Sequence, residues 1–169
     1  MIAVMGGALA ASAWTPALAD DGPFALVSIS LYLPDQAMKD RGPEPAELQL
    51  YVASLVDHAK AILTAAPAQP GVTGAIVVGL KPPGRSRIWL WSNDKTRQHG
   101  LSTLLKAPLE ALPGPFVSGW NAFALNFKAW GGDNSPAVQM PVPDEWSLAL
   151  RSQGGGMLPD DALQAVWPN

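Results

Sequence analysis

The sequence contains no cysteine. That absence excludes disulfides, thiolate nucleophiles, cysteine-based zinc sites and lipid anchoring through a cysteine. Histidine is nearly as scarce, with His58 and His99 the whole supply. Neither has a second histidine or a close carboxylate at metal-ligand spacing, so no zinc pattern is present. Asp57 precedes His58, but adjacent helical residues point about 100° apart and do not face each other. No G-x-S-x-G elbow, P-loop or dinucleotide fingerprint occurs. The acidic neighbours Asp144-Glu145 and Asp160-Asp161 are simple helix starts, since paired glycosidase carboxylates normally come from separate segments. These gaps predict a non-catalytic protein with no catalytic residue, cofactor or metal. A secreted enzyme assembled from scattered Asp, Glu and Ser is the contrary possibility. Charge is sparse too: 15% of residues are charged, against a usual share of about 25%.

What is present begins with the first nineteen residues. Met1 to Ala19 carries no charge and is largely apolar, and it closes on Ala17-Leu18-Ala19 before Asp20-Asp21. Small residues around the cut and an h-region too short for a membrane span predict a cleavable signal peptide over 1–19. No Lys or Arg precedes Asp20, the one usual feature of a leader that is missing. The expectation is a periplasmic or secreted protein without a stable membrane anchor after cleavage. About 150 residues then remain, enough for one domain with a real core. With 48% hydrophobic residues, Pro 17 and Gly 16, the remainder reads as folded, with Pro/Gly-rich loops.

Periodicity divides it. Phe24 to Leu33 is rich in β-branched and aromatic residues and predicts a strand ending at Pro34. Asp35 to Pro45 reads as a loop. Leu48, Tyr51, Val52, Leu55, Val56, Ala59, Ile62 and Leu63 recur at three- and four-residue steps, one apolar face of a helix. Val72 to Leu80 is a continuous apolar run, as expected of a central strand. Lys81-Pro82-Pro83-Gly84-Arg85 makes a turn, and Ser86 to Trp91 alternates as the second strand of a hairpin. Leu101, Leu104, Leu105, Leu109 and Leu112 mark another helix, which Pro108 is expected to kink or split. Phe123, Leu125 and Phe127 alternate with Ala122, Ala124 and Asn126 in a further strand. From about 133 to 169 the chain reads as a Pro/Gly-rich extension with two short helices, starting near Asp144 and Asp160. The predicted fold is α+β: an antiparallel sheet of three or four strands with two main helices on one face.

Two compositional features bear on binding. Lys81, Arg85, Arg87, Lys95, Arg97 and Lys106, six of the 11 basic residues, fall in one stretch opposed only by Asp94. Such a stretch marks an acidic partner or merely solubilises a hairpin and a helix start. Tryptophan is plentiful, with Trp 7. Trp89 and Trp91 share one strand face with Arg87. Exposed, the three form a binding surface for a sugar, a peptide or a partner protein. Buried, they are the second core face of a sheet covered on both sides. Arg87, Trp89 and Trp91 are the candidate binding residues. Nucleic acid is not an expected partner, because export argues against it.

The order helix, strand, Pro/Gly turn, strand, helix, strand from Ala46 to Trp130 resembles the C-terminal domain of TonB-type and TolA-type periplasmic proteins. The resemblance rests on the run Gly74 to Leu80, the turn Pro82-Pro83-Gly84-Arg85, the strand Ile88 to Trp91, the leucine helix around Leu104-Leu105-Leu109, and the strand Ala122 to Phe127. It covers about half the chain. It implies a non-catalytic module that binds another cell-envelope protein, often by adding a strand at a sheet edge. Unlike that family, this chain has a cleavable-looking N-terminus and no long Pro- or Ala-rich spacer. A small-ligand or glycan binder using the Trp-rich surface is the alternative.

Overall fold

The computed structural model describes residues 22–132, 140–152 and 159–168. The expected signal peptide lies outside them. In chain order the elements are β1 (Phe24–Leu31), α1 (Asp35–Arg41), α2 (Pro45–Ala65), β2 (Val72–Lys81), β3 (Arg85–Ser92), α3 (Lys95–Glu110), β4 (Asn121–Ala129), α4 (Asp144–Ser152) and α5 (Pro159–Val166). The strands form one four-stranded antiparallel sheet in the order β1-β4-β2-β3. The fold is α+β.

The alternation of β2, β3 and β4 assigns their side chains to two faces. On the first lie Ile76, Val78, Leu80, Ile88, Leu90, Phe123, Leu125 and Phe127, all buried. Two helices cover this face. α2 contributes Tyr51, Val52, Leu55, Ala59 and Leu63, and α3 contributes Leu101, Leu105 and Leu109. These are the i, i+3, i+4 positions of an amphipathic helix, and each fully buried Leu stabilises by about 2 kcal/mol.

The second face carries smaller groups at its centre, Ala75, Val77, Ala122 and Ala124, beside the large Trp89 and Trp91. Trp146 from α4 and Leu163 from α5 complete this cluster. The sheet is therefore covered on both sides, and the C-terminal helices form a third layer instead of trailing off. The close approach depends on Gly79. A Cβ there would stand 2.8 Å from Leu163 Cδ2 and 2.9 Å from the Trp89 ring. Gly84 has a different reason: it closes the β2–β3 turn at φ 139, which side-chain-bearing residues rarely adopt.

Two elements depart from the sequence expectation, at three points. The stretch expected as a loop after Pro34 contains α1. Its Gln36 donates to Asp40 one turn on, Asp35 sits in the first turn, and Lys39 and Arg41 sit in the last, where they complement the dipole. A seven-residue helix with no buried residue leaves no apolar stripe to detect. Helix α3 begins earlier than its leucines suggest, because Asp94 accepts from the amides of Thr96 and Arg97 and caps it. Pro108 neither splits nor ends it. It falls in the last turn, where its ring removes a single hydrogen bond, and Ala111 still donates to Ala107.

Candidate functional site

Arg87, Trp89 and Trp91 stand on one face of β3, as alternation predicts. The molecule already uses that face itself. Trp89 is only 4% exposed. Its indole N–H donates to Glu145 at the start of α4 at 2.7 Å, and Trp146 meets it edge-on at 5.3 Å. Arg87 donates through Nη1 to the Val166 carbonyl of α5 at 2.9 Å and stands 3.5 Å from the Glu145 carboxylate through Nη2. Trp91 is half-buried against the same cluster. The open aromatic platform is thus not what this fold presents: Trp89 is an inner core residue, and α4 and α5 occupy the surface it would have offered.

Lys81, read in the sequence only as part of a turn and of the basic stretch, has a different place. It is 2% exposed, the least expected burial for a lysine. Its ammonium lies 5.1 Å from the Trp120 ring centroid and 4.6 Å from that of Trp167, and it donates to the Pro168 carbonyl at 3.0 Å. The two indoles touch each other edge-on. Burial, and secondly the nearby Arg85 charge, hold this ammonium below the usual lysine range. The signal was available in the parity of β2: Lys81 shares a face with Ala75, Val77 and Gly79.

The two borders of the sheet are treated differently. On β3, the Ile88 amide donates to the Glu110 carboxylate of α3 at 2.9 Å, so a side chain takes one of its outward positions. On β1, no second strand pairs with the outer side among the described residues. The Tyr32 amide donates to Ala122 of β4. By antiparallel alternation the amides of Ile29 and Leu31 then point away from the sheet. Val27 and Leu31 are exposed apolar residues on this border, and a bulge between Leu26 and Ser28 shifts the register. Behind them, buried Asn126 donates to the hydroxyls of Ser28 and Ser30 at 3.0 and 2.9 Å, which ties β1 to β4.

Other features offer little chemistry. His58 Nδ1 lies 2.8 Å from the Ser54 carbonyl on an exposed helix face. His99 is exposed in the second turn of α3. Among the described residues, no three His, Asp or Glu side chains converge as a metal site would require. Tyr32 donates to the Pro141 carbonyl, and burial pushes its phenol well above the ordinary value. An open groove of about 410 Å³ runs between α2 and the loop before β4, lined by Leu50, Tyr51, Pro113, Pro115 and Phe116, with Glu47 among its polar groups. No described helix is long and apolar enough to cross a membrane. Comparison with family models, curated proteins and solved structures gives no match.

Proposed function

We propose that this chain is a non-catalytic, exported interaction module that engages another cell-envelope protein by strand addition at β1, in the manner of TonB- and TolA-type C-terminal domains. The observation that carries this reading is the asymmetry of the sheet borders. One border has an amide satisfied by Glu110. The other has no strand partner among the described residues and displays Val27 and Leu31. An incoming strand would pair with the outward amides and carbonyls of β1 and cover those two side chains. The order α2-β2-β3-α3-β4 supports the resemblance; β1 and the C-terminal layer are additions to it.

The test is site-directed photo-crosslinking in an envelope extract. A photoreactive side chain at position 31 should give a discrete adduct, and one at the exposed Thr64 of α2 should not. Val27→Lys with Leu31 crosslinking should abolish the adduct, because a charge on an edge strand blocks pairing. An adduct of equal yield from both positions, or one unaffected by the lysine, would overturn the proposal.

A further inference from the structure

A second site lies at the opposite border. A pocket of about 340 Å³ opens beside β3 and is lined by Ser86, Arg87, Lys106, Glu110 and Trp167. Its size suits a small organic ligand. It brings together residues from β3, α3 and the position just after α5, and it takes in Arg87 and Lys106 of the basic stretch that the β1 border leaves unexplained.

Around Trp167 cations outnumber carboxylates. Arg87 and Lys106 line the pocket. The Arg85 guanidinium is 5.4 Å from the Trp167 centroid, and the Lys81 ammonium is 4.6 Å from it. Two carboxylates stand nearby, and both are engaged. Glu145 receives Trp89 and faces Arg87, and Glu110 accepts the Ile88 amide through Oε1. Neither Arg85 nor Lys106 has a carboxylate partner among the described residues. Lys81 and Arg85 lie over the Trp167 ring, and Arg87 and Lys106 line the pocket that the same indole borders, so like charges gather on one side of it. An added anion would offset them.

The remaining lining narrows the ligand. The Ser86 hydroxyl and the second oxygen of Glu110 offer a donor–acceptor pair and an acceptor. A ligand that is anionic everywhere would meet Glu110 unfavourably. A ligand with hydroxyl donors on one side and an anionic group on the other matches both halves of the pocket. We infer that this pocket binds a hydroxylated organic anion of sugar size, its carboxylate or phosphate between Arg87 and Lys106, its hydroxyls toward Glu110 and Ser86, and its ring against Trp167. The site is independent of the β1 border and stands whether or not that border binds a partner.

The experiment is an NMR titration of the isotope-labelled protein with glucuronate, glucose-6-phosphate, glucose and inorganic phosphate in parallel. One or both anionic sugars should give saturable shifts of the Trp167 indole N–H and the Ser86 amide, the two arms showing which anionic group is preferred. Glucose should bind about tenfold or more weakly, as the loss of a charge-assisted hydrogen bond predicts. Lys106→Gln, on a solvent-facing part of α3, should weaken the anionic sugars about tenfold, and Lys39→Gln on α1 should not. Retained amide dispersion in Lys106→Gln separates lost binding from lost folding. Three results would each overturn the inference: no shifts with either anionic sugar, equal binding of glucose, or inorganic phosphate matching the sugar phosphate without moving Trp167.

Discussion

At the residue scale, three buried polar side chains set the alkaline behaviour of the molecule. Tyr32 and Tyr51 are both pushed above their ordinary 10.0 by burial. The folded protein keeps these protons after the unfolded chain has released its own. Their stabilisation is therefore complete below pH 10.0 and is lost as pH rises from there toward the folded values. Lys81 works in the opposite sense. Its folded value is depressed, so stability rises with pH until the unfolded lysine titrates at 10.5. Above 10.5 the lysine contributes no further slope, while each phenol still within its window contributes a loss of about 1.4 kcal/mol per pH unit. Urea melts from about pH 10.5 to about pH 11.5, where only the phenols still have a slope, should show an alkaline loss of stability. Tyr32→Phe should make that loss shallower by one phenol's share; identical slopes in the two proteins would show that Tyr32 is not buried as described.

At the element scale, the helices and strands that bury an apolar face were legible, and those that do not were hidden. The eight-residue apolar set of α2 and the uninterrupted run of β2 carried their own signals, and both elements formed where expected. The first helix escaped because nothing in Asp35–Arg41 is buried; its support comes from Gln36–Asp40, the dipole and a bond from the Ser118 amide to the Arg41 carbonyl, none of which leaves an apolar pattern. The start of α3 was hidden for a related reason. Its first turn is polar and held by the Asp94 cap, so a search for leucine spacing begins several residues late. The close contact of β2 with α5 was illegible because it depends on an absent side chain. Gly79 is the point where Leu163 and Trp89 reach the sheet. Gly79→Val should cost about 1–3 kcal/mol by overpacking. It should also raise amide exchange in α5 before α2, and equal exchange in the two helices would show that Gly79 does not seat the C-terminal layer.

At the scale of the whole molecule, the arrangement is three layers: α2 and α3, the sheet, then α4 and α5. Sequence alone placed the strands, the two main helices and the shared face of Arg87, Trp89 and Trp91. Whether that face was open or covered depended on how a short C-terminal segment folds back, which periodicity within the segment does not reveal. The answer lies in long-range pairs: Trp89 to Glu145, Arg87 to Val166, and Lys81 to Pro168. Removing residues 133–169 should therefore expose Trp89, Lys81 and the alanine-lined face at once. The truncated protein should lose at least about 3 kcal/mol of stability, shift its tryptophan emission to the red and associate through the uncovered surface. A truncated form that melts like the full chain and stays monomeric would show that the third layer is dispensable.

The unequal borders of the sheet also limit how copies of this chain can join. A molecule sticky along both sides of its sheet has no natural stopping point and can grow into a fibre. Here Glu110 already takes the Ile88 amide on the β3 side, which disfavours pairing there, so two copies meeting through β1 would form a closed, two-fold pair. A longer assembly built on these strands would have to displace that glutamate or recruit a different protein.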